Sequence, residues 1–318
     1  MWIRFAQIGL AIALCATAIC AQEEPPPAAS TLSINVRVIA VDALVRDRDG
    51  ELIRNLDKDA FTLKVDGKPT EIHYFNRDND LPLTIGLMID TSGSQSMYFD
   101  EEALNSENFL TNILTNPQDR ALVVRFDSRV LLLQKMTSRL NELRNALRLL
   151  DYRDPAIGTR HGGTLLYDAI ATVSKSVISN EAGRRALVIL TDGDDNGSVT
   201  SLSDAIRQAQ VAGVAIYSVL YTREMIGSTR YPVAVGGRVS GITVMQEISK
   251  ATGGRAFIVG TGTPIAEIFA EIERDLRSQY RFGFTPLPSK PGKFHSIELR
   301  TGDKHQSIQS RAGYYTPE

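Results

Sequence analysis

Leu83-Thr84-Ile85-Gly86-Leu87-Met88-Ile89 runs directly into Asp90-Thr91-Ser92-Gly93-Ser94, and this stretch decides the fold. A strand with one face in water alternates apolar and polar side chains. A run that stays apolar and then stops suits a strand covered on both faces, as in a parallel sheet with helices on either side. The sudden change to Asp, Ser and Gly marks the carboxyl end of that strand and a turn toward a helix.

The same grammar repeats downstream. Leu104, Phe109, Leu110, Ile113 and Leu114 predict a helix that Pro117 closes. Residues 121–126 and 130–133 read as strands joined by a hairpin across Asp127-Ser128-Arg129. Leu140, Leu143, Leu147 and Leu150 recur at helical spacing, as do Leu166, Ala169, Ile170, Val173 and Val177. Residues 186–190 form a second buried strand ending near Asp192. Then come a helix marked by Leu202, Ala205, Ile206 and Ala209, a strand over 214–220, a short helix at Val244, Met245 and Ile248, and a strand over 256–259. Ile265, Ile268, Phe269, Ile272 and Leu276 close the series as a helix with Thr263 as N-cap and Pro264 at its first position. Strands and helices that alternate over residues 81–279 predict a doubly wound α/β domain with a mostly parallel sheet. Ligands of such sheets bind outside the carboxyl ends of the strands.

The flanks have β grammar. From Thr31, Leu32, Ile34, Val36, Val38 and Ala40 fall on one face of a strand. Arg48-Asp49-Gly50 is a hairpin signal, and 61–65 and 72–75 read as two strands around the turn Asp66-Gly67. After Gln279, residues 280–284, 294–300 and 306–310 read as strands. Neither 31–80 nor 280–318 is long enough to bury much of a core alone. The economical expectation is that they are two halves of one small β-sandwich, with the α/β domain inserted between them. The alternative is two separate appendages on the main sheet.

The 318-residue chain begins with a stretch of different character. Residues 1–21 carry one charge, Arg4, then an uncharged run rich in Ala, Leu and Ile that ends in small residues. This is the signature of a signal peptide, with cleavage after Ala21. Roughly 15 apolar residues fall short of the ~20 that a membrane span needs. A retained anchor, or a lipid on Cys20, is the alternative. Residues 22–30, rich in Pro, Ala and Glu, form a linker. The chain is therefore expected to be exported: periplasmic, cell-surface or secreted, with no membrane span after cleavage. Both cysteines, Cys15 and Cys20, lie in the leader, so the mature chain has no disulfide, no thiolate metal site and no cysteine nucleophile. Apolar residues at 43% and charged residues at 23% are ordinary for a soluble protein, and the formal charge of −2 offers no basic surplus for nucleic acid.

Chemistry concentrates at three strand ends or loops. Asp90, Ser92 and Ser94 follow the first buried strand, Thr164 lies in Gly162-Gly163-Thr164 at a helix start, and Asp192 follows Leu190-Thr191. In a doubly wound sheet all three loops open on one edge. Two carboxylates and three hydroxyls would then converge. Such hard oxygen donors suit magnesium first, with manganese or calcium as alternatives, and offer nothing soft for zinc or copper. Two unpaired carboxylates at one point repel unless a cation joins them.

Asp90, Ser92, Ser94, Thr164 and Asp192 match all five positions of the metal-ion-dependent adhesion site of von Willebrand factor type A domains. Over about 81–279 the order of elements resembles that family as well. The flanks, with Leu81-Pro82-Leu83-Thr84 and the terminal Arg311-Ala312-Gly313-Tyr314-Tyr315, resemble an exported acidobacterial group of such proteins. The resemblance implies that Ser92 and Ser94 coordinate the ion directly and that Thr164 does so directly or through water. Asp90 and Asp192 would act largely through bound waters. It also implies an open coordination position for an Asp or Glu carboxylate of a protein partner, and a non-enzymatic role.

Rival readings are weaker. A magnesium-dependent phosphoryl hydrolase would place Asp-x-Asp after the first strand, but Ser92 stands where its second acid belongs. A serine hydrolase would need Gly-x-Ser-x-Gly and a placed histidine; only His161 lies near the expected edge. Asp192-Gly193-Asp194-Asp195-Asn196-Gly197 begins like a calcium loop, but position twelve is Ser203, so Asp194 and Asp195 read as solvated turn residues. Residues 228–241 are a candidate specificity loop.

Overall fold

A computed structural model describes residues 38–77, 81–150, 163–221, 240–260, 262–286 and 288–316. The leader, the linker, the expected strand residues before Val38, Arg160, His161 and residues 228–239 of the candidate specificity loop lie outside the described residues.

The central sheet has six strands in the order β10-β9-β8-β5-β6-β7. These are β5 (Leu83–Asp90), β6 (Arg120–Phe126), β7 (Val130–Thr137), β8 (Arg184–Thr191), β9 (Val214–Leu220) and β10 (Ala256–Ile258). All pairings are parallel except β6 with β7, the hairpin across Asp127-Ser128-Arg129. Every residue of β5 is buried, as its unbroken apolar run requires. Its side chains alternate between two cores. Ile85, Leu87 and Ile89 pack with α1 (Phe99–Ile113), α2 (Leu140–Leu147) and α6 (Ile265–Leu276). Met88 packs on the other face with α3 (Leu166–Thr172), α4 (Leu202–Val211) and α5 (Gly241–Thr252). The chain leaves β5 for α1 on one face and leaves β8 for α4 on the other. The adjacent carboxyl ends of β5 and β8 therefore form the crevice of a switch point.

Two four-stranded sheets stand apart from this one, ordered β13-β1-β11-β4 and β14-β12-β2-β3. The first joins β1 (Ile39–Arg46) and β4 (Tyr74–Asn76) to β11 (Tyr280–Phe284) and β13 (Ser307–Ser310). The second joins β2 (Phe61–Val65) and β3 (Lys68–Thr70) to β12 (Phe294–Thr301) and β14 (Gly313–Tyr315). Each thus mixes strands from both ends of the chain. Val41, Val45, Phe282 and Phe284 of one sheet share a core with Phe61, Leu63, Leu299 and Tyr314 of the other. Phe61 meets Phe282 edge-on at 4.8 Å between ring centroids.

Several expectations need correcting. The inward face of β1 carries Ile39, Val41, Ala43 and Val45, whereas Val38 and Ala40 are exposed. A period of two counted from Leu32 lands on the wrong side, because one residue of slip inverts a strand. The Asp66-Gly67 turn leads back along β3, not into Tyr74, and β4 crosses to the other sheet to pair with β11. Pro264 itself is the N-cap of α6, in extended conformation, and Ile265 is the first helical residue. The helix after Ile170 widens to π geometry over Val173–Ile178, so Ile178 takes the fully buried position expected of Val177. Leu104 is 62% exposed, and Glu102 and Ser106 face the core in its place.

Candidate functional site

Asp90 ends β5 fully buried. Its Oδ1 accepts the Ser92 N–H (2.9 Å) and its Oδ2 accepts the Thr191 hydroxyl (2.7 Å), which fixes the carboxylate plane between the ends of β5 and β8. The turn after Asp90 brings the Ser92 and Ser94 hydroxyls within 3.0 Å of each other. Asp192, half-buried, follows Thr191 across the crevice. Its Oδ2 accepts the side-chain amide of Gln95 (3.0 Å) and its Oδ1 accepts the Asp194 N–H (3.1 Å). Burial pushes the Asp90 carboxyl up to about 6, its hydrogen bonds to Ser92 and Thr191 oppose this, and the charge of Asp192 adds to the rise.

Thr164 reaches the same edge by its main chain. Its N–H and carbonyl exchange hydrogen bonds with Asn196, four residues beyond Asp192 (3.0 and 2.9 Å). The next residue, Leu165, donates its N–H to the Asp127 carbonyl in the β6–β7 turn (2.8 Å). The Asp127 carboxylate in turn accepts the Thr91 hydroxyl (3.3 Å). Thr164 itself is buried. The three loops are thus laced together. Asp90, Ser92, Ser94 and Asp192 are joined by direct bonds or through Thr191 and Gln95, and Thr164 is held by the segment that follows Asp192.

Asp195 is not a solvated turn residue. It accepts the Tyr167 N–H (3.0 Å) and the Ser198 hydroxyl (2.6 Å), and so pins the start of α3 to the loop after β8. Asp168 completes the clamp by accepting the N–H groups of Val199 and Thr200. Gln95, Thr191 and Asp127 are site residues that the sequence motif does not include. Thr191 had one signal, a hydroxyl residue at the close of an otherwise apolar strand. Gln95 had none beyond following Ser94.

Glycine supplies the remaining geometry. Gly193 sits at φ +82°, and its Cα faces Gly241 at the start of α5. A Cβ on Gly241 would lie 2.5 Å from the Asp192 carbonyl oxygen, and one on Gly193 would lie 2.5 Å from the Gly241 carbonyl oxygen. Both are backbone contacts, so neither can swing aside. Gly241→Ala is expected to shift Asp192 and weaken divalent-ion affinity roughly tenfold. Titration with manganese would read the change, and unchanged affinity would separate α5 from the site.

The donor chemistry fits a hard divalent cation. Two carboxylates lie close enough to repel, and among the described residues no ion pair engages either one. Also among the described residues, no three His, Cys, Asp or Glu side chains gather at one point. Gln95 is 1% exposed, and its carbonyl oxygen has no hydrogen-bond partner among the described residues. Its amide orients Asp192. Gln95→Met, of similar volume, is expected to lower ion affinity by about 10- to 100-fold, the usual weight of an outer-shell partner. The ion-free melting temperature should move much less. Calorimetric titration alongside thermal melts would show whether affinity and stability separate in this way.

A family model for the von Willebrand factor type A domain matches residues 84–271, more than half of the chain. Among solved structures, the chain is similar to BatB, a conserved hypothetical protein from Bacteroides thetaiotaomicron, with 16% identity and a TM-score of 0.45 over 61% of this chain and 97% of that one. It is similar to the vWF domain of the type V pili tip protein Mfa5 from Porphyromonas gingivalis, with 11% identity and a TM-score of 0.44 over 61% and 95%. It is also similar to proximal thread matrix protein 1 from the mussel byssus, solved with a zinc-occupied MIDAS motif, with 17% identity and a TM-score of 0.47 over 68% and 50%. No curated protein matches.

Proposed function

Because the chain belongs to the von Willebrand factor type A family, we propose that it is an exported, non-enzymatic binding module that holds one divalent cation at the β5–β8 edge and takes a carboxylate from a partner protein. The observation that carries this reading is the meeting of Asp90 and Asp192 beside the Ser92 and Ser94 hydroxyls, with no ion pair to either carboxylate among the described residues. Ser92, Ser94 and Thr164 would hold the ion through neutral oxygens, and Asp90 and Asp192 would balance its charge. A cation with mostly neutral direct ligands stays electrophilic and favours an incoming Asp or Glu. Magnesium is the first choice, with manganese and calcium as alternatives.

The state of Asp90 speaks against phosphoryl transfer. A carboxylate that attacks phosphorus needs a free oxygen facing the substrate. Both oxygens of Asp90 already accept hydrogen bonds, and the group is buried. Ser92 supplies no general acid. The leader-like stretch at residues 1–21 supports export. Among the described residues no helix is long and apolar enough to cross a membrane.

The test is retention of a partner from the native cell envelope on the immobilised protein, with magnesium and then with chelator. A partner released by chelator, and never captured by Asp192→Ala, supports the bridge. A partner held equally in both conditions overturns it. Magnesium-dependent hydrolysis of phosphate esters that is lost in Asp90→Asn but survives in Ser92→Ala would favour the hydrolase instead.

A further inference from the structure

The inward face of α1 should be apolar throughout, since it packs on the sheet. Phe99, Phe109, Leu110 and Ile113 obey. Glu102 and Ser106 do not, although both are 0% exposed. They lie four residues apart, one above the other on one helix face. Among the described residues, both carboxylate oxygens of Glu102 and the Ser106 hydroxyl lack a hydrogen-bond partner.

Tyr221, immediately after β9, belongs to the same place. It is 3% exposed, and its phenol oxygen also lacks a partner among the described residues. Its ring packs on that of Tyr98 at 4.6 Å, and the Tyr98 carbonyl accepts the Glu102 N–H (2.8 Å). The charge of Glu102, after burial, raises the Tyr221 phenol. Burial raises the Glu102 carboxyl first, followed by the charges of Asp90 and Glu101. The two charges that raise Glu102 are thus both negative.

Among the described residues, the two Glu102 oxygens, the Ser106 hydroxyl and the Tyr221 phenol, on α1 and just after β9, are four buried oxygens with no hydrogen-bond partner. Each unpaired buried polar group costs about 1–3 kcal/mol, and protein interiors rarely tolerate several at one point. A cation held among them would partner these oxygens at once. All are hard donors, which suit alkali and alkaline-earth cations. One carboxylate among neutral oxygens balances a single positive charge, whereas a divalent ion would leave an uncompensated buried charge.

We propose that Glu102, Ser106 and Tyr221 form an interior site for a monovalent alkali cation between α1 and the end of β9, separate from the divalent site at the loop edge. Its positive charge neutralises Glu102 and removes the repulsion that Glu102 exerts on Asp90. The occupant is a structural ion, out of reach of any partner protein.

The test is thermal melting of the full chain in chelator, at equal ionic strength, in sodium, potassium or N-methylglucamine chloride. The melting temperature is expected to rise by several degrees in one alkali salt over N-methylglucamine. That rise should persist in Asp192→Ala, which disables only the outer site, and should shrink in Tyr221→Phe and vanish in Glu102→Gln. Thallium, soaked into crystals of the wild-type protein, should give an anomalous peak beside Glu102, a result that does not depend on any variant folding. Equal melting temperatures in all three salts, or no thallium peak at Glu102, overturns the proposal in favour of a neutral carboxyl among ordered waters. Because every melt is run without divalent ions, such a failure leaves the outer site untouched.

Discussion

Asp192→Ala is expected to abolish tight divalent-ion binding while the protein stays folded. Asp192 is half-buried at the end of β8 and belongs to none of the three cores, so its loss opens no apolar cavity. It removes one of the two charges that balance the ion. The expected fall in affinity exceeds the roughly 10- to 100-fold that an outer-shell partner carries. Thermal melting gives the clearest reading. An ion at about 100 times its dissociation constant stabilises the wild-type fold by about 2.7 kcal/mol, and the variant should gain none of this. Manganese raising the melting temperature of both proteins equally would remove Asp192 from the site. Asp90→Ala is a poorer probe, because it strips a partner from both the Ser92 N–H and the Thr191 hydroxyl and so disturbs the fold. Asp90→Asn keeps the shape and removes the charge, and it should lose the ion response as Asp192→Ala does.

The sequence announces the sheet and hides the polar wiring, for physical reasons. An apolar run such as Leu83 to Ile89 has one economical use, a strand buried on both faces, and β5 is buried at every position. The pairing of strands from the two flanks was legible only as an economy, since neither could bury a core alone. Which strand met which was not legible, and β4 changed sheets without a signal that periodicity could carry. The inverted face of β1 shows the limit of alternation: it states that two faces differ, and the core decides which one is buried. Helix α1 shows the same limit for hydrophobicity. Leu104 looked like the inward residue, but helical spacing through Phe99, Phe109 and Ile113 places Glu102 and Ser106 inside.

At the candidate site the difference is sharper. Asp90, Ser92 and Ser94 stand out because a polar cluster interrupts an apolar strand. Gln95 and Asp127 are ordinary turn residues until the fold sets Gln95 against Asp192 and Asp127 against Thr91. Asp195 read as solvated because turns prefer aspartate, whereas its carboxylate caps the main chain of a distant helix start. Hydrogen bonds between loops far apart in sequence leave no period to read.

Arg184→Leu is expected to cost roughly 2–5 kcal/mol of stability, since each buried acceptor left unpaired costs about 1–3 kcal/mol. Arg184 opens β8 and is 2% exposed. It donates to the Gln279 carbonyl (2.6 Å) and more weakly to the Leu276 carbonyl at the end of α6 (3.4 Å). Those acceptors lie where α6 ends and β11 begins, so the guanidinium fastens the six-stranded sheet to the segment that enters the outer sheets. The orphan carbonyls at a helix end carry partial negative charge and favour a cation there. Burial works against the charged form of Arg184, and Asp42 of β1, at 3.8 Å, is the first opposing influence. Asp42 also holds Arg281 through two bonds, at 2.7 and 2.8 Å, so it does not depend on Arg184 alone. Leucine fills the volume but leaves the carbonyls of residues 276 and 279 unpaired. In a domain of this size the loss corresponds to a fall in melting temperature on the order of 10 °C. Arg184→Lys should recover only part of it, since one ammonium cannot match the spread of a guanidinium. Arg120→Ala supplies the contrast. It breaks a pair with Glu181 in which the arginine is 46% exposed, and should cost no more than about 1 kcal/mol. Denaturant melts of the three variants decide the matter. An Arg184→Leu protein as stable as wild type would mean that the buried guanidinium returns no more than its desolvation costs, and that the junction is held by apolar packing alone.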